Sequence, residues 1–218
     1  MNKHVLPALQ SKLNTNIGCE LWEFHRAAEL EDRRLYLYGE IAPLDEDGSF
    51  YSDTSVSSYI TEQIINYNRI DDGTKPSERE PIRLYINSPG GDVTEGFAIV
   101  SAIELSKTPV YTINLGEWCS MAFLIGITGK RRFSLPYSTF MMHEPSTLVS
   151  GKFSDIENVV NFNKKFSNKI IKELVCKYGD ISSSKYTRLS KNDYYMLPED
   201  ALKLGFIDEI VTDIEAIF

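Results

Sequence analysis

Ser120 and His143 are the two side chains of this sequence whose types and settings best fit hydrolysis by a serine nucleophile. That reaction needs an exposed hydroxyl, a base within hydrogen-bond reach, an acid that orients the base, and amide donors for the oxyanion. An exposed nucleophilic hydroxyl is expected at a sharp turn between a strand and a helix. The sequence should therefore show a strand, a turn with a serine, and a helix in that order.

Ser120 occupies this kind of position. An apolar run at Val110 to Leu115 predicts a strand, and Gly116 to Cys119 is predicted as a turn. Ser120 then opens the apolar run Met121 to Ile127, which predicts a fully buried helix. The backbone N–H of the first helical residue would lie at the positive end of the helix dipole, where it could bind an oxyanion. The simpler alternative is that Ser120 only caps the helix.

A second amide donor is expected from the run Asn87-Ser88-Pro89-Gly90-Gly91, whose composition predicts a turn. We choose Gly91, because a backbone without a side chain lets a substrate carbonyl approach closely. The alternative is that Gly91 serves only a turn that requires positive φ.

The general base must be one of three histidines. His4 lies near a terminus that we expect to be mobile, and His25 lies in a charged segment typical of a solvated surface. His143 directly follows the apolar run Phe140-Met141-Met142, which places it at the end of a strand. A purely structural histidine remains the alternative for this residue.

The orienting acid is the least determined member of the set, because 31 acidic residues compete for the role. Asp193, Asp200 and Asp208 all lie in the last part of the chain, and spacing does not choose among them. We expect Tyr195 and Met196 to bury Asp193 partly, whereas Asp208 lies in the strand that ends the domain.

Cys119 offers a thiol as an alternative nucleophile for His143. Neighbouring side chains at the start of a helix point in different directions. We therefore expect only one of Cys119 and Ser120 to face the site.

Strands and helices alternate along the chain in a pattern that predicts an α/β domain with a parallel sheet covered by helices. The predicted strands are Arg34 to Ile41, Ile82 to Ile86, Val110 to Leu115, Phe133 to Leu135, Thr139 to Met142 and Phe206 to Val211. The predicted helices begin near Val56, Phe97, Met121, Phe153, Ser182 and Pro198. No repeat of 20–50 residues is present.

The longest predicted helix runs between Phe153 and Tyr178, with Ser154 as its cap and Gly179 as its stop. It is longer than one small core needs. Its apolar face either belongs to the core or forms an interface between subunits.

Composition excludes several classes of protein. The chain has 23 basic and 31 acidic residues and a net charge of −8, which argues against a nucleic-acid partner. Its three cysteines show no CxxC spacing, so we expect a reducing compartment. It lacks the apolar run of about 20 residues that a membrane helix needs, and its start lacks a secretory core. We expect a cytoplasmic protein without membrane partners.

Four ordered motifs together carry a resemblance to a known family: Asn87 to Gly91, Gly116 to Ala122, Met141 to Pro145, and Asp193 followed by Ala201 and Gly205 to Asp208. They resemble the ClpP family, the proteolytic subunits of Clp proteases, over roughly Leu35 to Val211. The resemblance implies the ClpP/crotonase-like fold of repeated ββα units with a protruding handle helix near 153–178. It divides the chain into an amino-terminal segment, 1–33, with a possible axial gate and first helix, and a peptidase domain, 34–218.

The resemblance also implies roles for individual residues. Ser120 resembles the nucleophile, His143 the general base and Asp193 the orienting acid, while Gly91 and Met121 resemble the oxyanion-hole donors. An extended substrate is expected to lie as an added strand between the segments after Gly91 and after Pro145.

The implied function is endopeptidase activity on unfolded proteins and short peptides inside two stacked heptameric rings. No metal or organic cofactor is implied, and ATP would be used only by a partner unfoldase ring, since the chain has no GxxxxGK[ST] loop. Two alternatives stay open, a non-catalytic scaffold subunit of a mixed Clp ring and a crotonase-type acyl-CoA enzyme.

Overall fold

The computed structural model describes residues 32–42 and 55–217 of the chain. Nearly all of the segment 1–33 and of the loop 42–51, together with His4 and His25, lies outside the described residues. The division of the chain at residue 33 therefore stays a prediction.

Seven strands of the described chain form a single sheet: β1 Arg34–Ile41, β2 Ile82–Gly91, β3 Val110–Cys119, β4 Arg131–Ser134, β5 Thr139–Met142, β6 Tyr194–Met196 and β7 Glu209–Ile210. The path β1-β2-β3-β4-β7 is parallel throughout. The far end of β3 also pairs in parallel with β5, and β6 joins β5 in the antiparallel sense. The α/β class is confirmed, with one antiparallel strand added to an otherwise parallel sheet.

Two of the predicted turns are wrong, because both segments continue as strand. Asn87 to Gly91 belongs to β2, and Gly116 to Cys119 belongs to β3. The register of this strand pair shifts between Ile86 and Ser88, so the chain bends without leaving the sheet. Gly90 and Gly91 have φ of 96° and 144°, a conformation open to glycine, and both still pair with β1.

Helices follow the strands as predicted: α1 Val56–Ile70, α2 Val93–Leu105, α3 Met121–Ile127, α4 Phe153–Phe166, α5 Lys172–Tyr178, α6 Ser183–Leu189 and α7 Pro198–Lys203. Side chains cap the first two, because Ser55 accepts a hydrogen bond from the N–H of Ser58 and Asp92 accepts one from the N–H of Glu95. No helix in the described ranges combines the length and the apolar character that crossing a bilayer would require.

Three boundaries near the carboxyl end differ from prediction. The long helix begins after Lys152, so Ser154 lies inside it and does not cap it, whereas Gly179 ends it as predicted. The predicted helix from Ser182 to Met196 ends at Leu189 and is followed by β6, because Tyr194–Met196 pairs with β5. The last strand is reduced to the two residues of β7.

The main core lies between the sheet and the helices. Helix α3 is buried at every position, as predicted. It packs closely on β3, since a Cβ on Gly126 would lie 2.4 Å from ring atoms of Trp118. Phe123 of the same helix meets Phe206 edge to face at 4.9 Å between ring centroids. These contacts pack α3, which begins directly after Ser120, against the sheet and the segment of Phe206.

The long helix has two unlike halves, joined by a π-helical turn at Ser167–Ile171. No residue of α4 is buried, and its Phe153 and Phe162 are 94% and 63% exposed. In contrast, Leu174 and Val175 of α5 belong to the core. The carboxyl half therefore anchors the helix, and the amino half presents an apolar surface outside the protomer.

Candidate active site

Ser120 lies at the junction between β3 and α3 in an unusual backbone conformation, with φ 54° and ψ −118°. Such strain in a non-glycine residue typically costs about 1–3 kcal/mol and is often kept at functional sites. Although Ser120 holds the N-cap position, its side chain makes no capping hydrogen bond. Capping alone therefore does not explain this serine, and its hydroxyl is free for another partner.

That partner is His143. The Oγ atom of Ser120 lies 2.7 Å from Nε2 of His143, which is hydrogen-bond distance. His143 directly follows β5, as predicted, and β5 runs parallel to the end of β3 with Met141 opposite Cys119. The two strands therefore bring the hydroxyl and the imidazole to the same point at the carboxyl end of the sheet.

Asp193 is the candidate acid that the structure brings to His143. Its Oδ1 lies 3.6 Å from Nδ1 of the imidazole, close but longer than a hydrogen bond. The pairing of β6 with β5, with Tyr194 opposite Met142, places Asp193 beside the strand end that carries His143. The expected partial burial is wrong: the Asp193 side chain is 57% exposed, because β6 is a short edge strand and Tyr195 is itself exposed.

The other two candidate acids lie elsewhere. Asp208 binds the guanidinium of Arg132 through both carboxylate oxygens, with a shortest distance of 2.6 Å. Asp200 lies exposed in the first turn of α7. Neither comes within ion-pair distance of His143. Within residues 32–42 and 55–217, no group of three or more His, Cys, Asp or Glu side chains is arranged to hold a metal ion.

Gly91 and Met121, the two predicted oxyanion donors, both line the cavity beside Ser120 and His143. Met121 is the first residue of α3, so its amide is one of the four that a helix leaves without an internal partner. Gly91 is the last residue of β2. Their roles as oxyanion donors stay predictions.

Gly90 is a further residue of the site that the sequence reasoning missed. A Cβ at this position would lie 2.6 Å from the carbonyl oxygen of Cys119, 2.8 Å from Cβ of Ser120 and 2.9 Å from the amide nitrogen of Met121. Strand β2 therefore packs directly against the turn that carries the hydroxyl. The available signal was the pair of adjacent glycines, of which the sequence alone assigned a function only to Gly91.

Cys119 does not reach the imidazole. It is buried, and its Sγ faces the carboxylate of Glu117 at 3.5 Å. Burial, together with the negative charge of Glu117, raises the pKa of the Cys119 thiol to about 12. Almost no thiolate exists at neutral pH, and Ser120 is the one of the two that faces His143.

One opening adjoins Ser120 and His143, and a second shares Gly91, Val93 and Pro145 with it. One is a small cavity of about 80 Å³ with largely apolar walls from α3, α5 and the π-helical turn, including Phe123, Ile171 and Val175. The other is a groove between Gly91–Val93 and Glu144–Thr147 that continues to α4. The groove lies between the two segments where an extended peptide is expected.

Comparison with known proteins gives two matches. A family model described as Clp protease matches residues 46–213, which include every candidate site residue. A protein of Deinococcus radiodurans named "ATP-dependent Clp protease proteolytic subunit" is 31% identical over 176 residues, covering 80% of this chain and 85% of that protein. Both matches agree with the resemblance that the four motifs carry.

Proposed function

The chain belongs to the Clp protease family as a serine-type peptidase subunit, and we propose that Ser120, His143 and Asp193 form its catalytic triad. The observation that carries this proposal is the 2.7 Å contact between Oγ of Ser120 and Nε2 of His143. The contact joins the strained turn of Ser120 to the strand end that carries His143. Asp193, beside the edge strand β6, lies next to His143, and the three residues come from distant parts of the sequence. Such convergence is the geometric requirement for a nucleophile and its base.

The reaction follows from the positions of these groups. Ser120 Oγ attacks the peptide carbonyl while Nε2 of His143 takes the hydroxyl proton, and the amides of Gly91 and Met121 bind the oxyanion that forms. His143 then gives the proton to the leaving amine, and the peptide bond breaks to leave an acyl ester on Ser120. Water activated by the same imidazole hydrolyses the ester and restores the free hydroxyl.

Asp193 has a positioning task in this scheme. Its carboxylate would accept a hydrogen bond from Nδ1–H of His143, which keeps Nε2 unprotonated and oriented toward Ser120. The present 3.6 Å separation is longer than this bond. Catalytic hydrogen bonds are often long without substrate and shorten in the reacting complex.

The Clp protease family implies assembly into an oligomeric protease that works with Clp ATPases. We propose two stacked heptameric rings, with the handle helix α4 between them. The unburied apolar side chains of α4 support this arrangement, because a surface of this kind is typical of an interface. Enclosure in such a chamber would limit substrates to short peptides and unfolded chains.

The proposed reaction needs no metal ion and no organic cofactor, since hydroxyl, imidazole, carboxylate and amides supply every step. ATP would be used only by a partner unfoldase ring. The cytoplasm is the location that we propose, on the basis of the cysteine content of the sequence.

The decisive experiment is active-site labelling. A fluorophosphonate probe should modify Ser120, and Ser120→Ala should lower cleavage of a fluorogenic peptide on the order of 10⁴–10⁶-fold while assembly is kept. Ser184→Ala, at an exposed serine of α6, is the matched control and should cleave normally.

The same experiment separates the alternatives, neither of which the family match favours. A folded oligomer that stays unlabelled and inactive would indicate a scaffold subunit. Binding of an acyl-CoA without peptidase activity would indicate a crotonase-type enzyme. Undiminished cleavage by Ser120→Ala would remove Ser120 from its proposed role.

A further inference from the structure

The cavity beside Ser120 is lined by a tyrosine whose buried hydroxyl has no partner at hydrogen-bond distance among the described residues. Tyr186 of α6 lines this cavity and is only 4% exposed. Its hydroxyl oxygen has no hydrogen-bond partner among the described residues. Buried polar groups are nearly always paired, and leaving one unpaired destabilises a fold. A hydroxyl kept in this state at a substrate cavity therefore suggests a partner that arrives with the substrate.

The surroundings make this hydroxyl a hydrogen-bond donor. Burial raises the pKa of Tyr186, and the charge of Glu144 acts in the same direction, so the phenol keeps its proton. The neighbouring Ser190 hydroxyl interacts with the phenol and acts in the opposite direction, although neither hydroxyl has a partner within hydrogen-bond distance among the described residues. Ser190 is therefore the internal group that competes for the phenolic proton.

The rest of the cavity limits what can reach Tyr186. Its other walls include the apolar side chains of Phe123, Leu124, Ile171 and Val175. The cavity adjoins Ser120 and His143, so it can receive the side chain on the acyl side of the cleaved bond. A suitable side chain has an apolar stem and a neutral acceptor at its tip. A carboxylate tip would be disfavoured, because it would be buried near Glu144 without a counter-charge.

We propose that Tyr186 is a specificity-determining residue that donates a hydrogen bond to the tip of the acyl-side side chain and favours glutamine there. The carboxamide oxygen of glutamine accepts the phenolic proton, and its two methylene groups lie against the apolar walls. A purely aliphatic side chain would fill the same space but leave the hydroxyl unpaired. This inference rests on the proposed peptidase function.

The test compares two fluorogenic peptides that differ only at the acyl-side residue. One carries glutamine, and the other carries norleucine, a straight apolar side chain of similar length. In Tyr186→Phe, the ratio of kcat/KM for glutamine over norleucine should fall about tenfold, the usual effect of one hydrogen bond. Cleavage of the norleucine peptide should stay within about twofold, since the variant removes only an unpaired hydroxyl.

Matched variants make the result specific. Tyr137→Phe removes an exposed hydroxyl from the turn between β4 and β5 and should leave the ratio unchanged. An unchanged ratio in Tyr186→Phe, or an equal loss with both peptides, would overturn the proposal. A fall in the ratio with Ser190→Ala but not with Tyr186→Phe would also overturn it, because the donor would then be Ser190.

Failure of this inference differs from failure of the proposed function. An enzyme that cleaves both peptides through Ser120 but keeps its ratio in Tyr186→Phe overturns only the role of Tyr186. An enzyme that cleaves neither peptide and whose Ser120 resists the fluorophosphonate probe overturns the proposed function, and this inference with it.

Discussion

The backbone amide of Ser120 donates a 2.8 Å hydrogen bond to the carbonyl of Met141, two residues before His143. This bond extends the pairing of β3 with β5 into the strained turn itself. Because side chains alternate between the faces of a strand, a shift of one residue in this pairing would turn the imidazole away from the hydroxyl. The contact between Ser120 and His143 thus depends on the register of two parallel strands.

Asp193→Asn should lower kcat for peptide cleavage by about 10²–10³-fold, because an amide no longer selects the imidazole tautomer that leaves Nε2 free. The loss should be smaller than in Ser120→Ala, since the Asp193 carboxylate is largely exposed and 3.6 Å from the ring. Steady-state kinetics with a fluorogenic peptide would measure this effect. Asp200→Asn, at an exposed acid of α7, is the control and should be within about twofold of wild type. Equal rates for the two variants would exclude Asp193 from the triad.

Gly90→Ala should lower both activity and stability. Its φ is 96°, and the new Cβ would lie within 2.9 Å of atoms in Cys119, Ser120 and Met121, so the catalytic turn must move. We expect at least about 10²-fold less cleavage and about 2–4 kcal/mol less free energy of unfolding, measured by kinetics and by urea denaturation. Gly73→Ala is the matched control, because Gly73 also has positive φ, 85°, but open space around it. It should lose only about 1 kcal/mol and keep its activity. A fully active Gly90→Ala would show that the turn tolerates displacement.

Iodoacetamide should leave Cys119 unmodified in the folded protein at neutral pH. The pKa of this thiol is raised to about 12 by burial and by Glu117, so the reactive thiolate is scarce. Mass spectrometry of peptides would identify the alkylated cysteines, and protein labelled in denaturant would serve as the positive control. Stoichiometric alkylation of Cys119 together with loss of activity would contradict the assignment of Ser120 as the nucleophile.

Asp71→Asn should destabilise the protein at pH 7 and much less at low pH. Hydrogen bonds from the Arg33 guanidinium lower the pKa of Asp71 against the opposing effect of burial, with a further contribution from the Thr108 hydroxyl. The unfolded chain therefore takes up this proton first. The stability from this carboxylate is complete above its unfolded pKa of about 3.9 and is lost as pH falls through the lower folded pKa.

Urea unfolding at pH 7 and near pH 3 would test this sign. We expect a loss of about 2–4 kcal/mol for Asp71→Asn at pH 7, because the largely buried Arg33 loses its 2.7 Å partner and keeps only the exposed Glu80 carboxylate at 4.0 Å. Asp72→Asn changes the adjacent, exposed carboxylate and should have little effect at either pH. A difference between wild type and Asp71→Asn that grows toward low pH would contradict the depressed pKa.

Local sequence patterns were sufficient to predict those elements whose structure depends on residues adjacent in the chain. The helix after Ser120, the strand before His143 and the stop at Gly179 were predicted because each has its own run of apolar residues or its own terminator. The same reasoning was wrong for Asn87 to Gly91: its glycines are typical of a turn, but the segment lies in a bent strand. Pairing with strands distant in sequence decides such cases, and no local window contains that information.

By itself, the sequence determined the α/β class and a serine at the start of a buried helix, and it favoured His143 among three histidines as the base, since composition and spacing express these features directly. The family resemblance pointed to Asp193, but only the tertiary structure placed Asp193, and not Asp200 or Asp208, beside His143, packed Gly90 against the turn of Ser120 and put Tyr186 in the cavity wall. The physical reason is that these choices depend on strand register and helix packing between segments far apart in the chain. Backbone hydrogen bonds and close-packed side chains set those relations after the chain has folded.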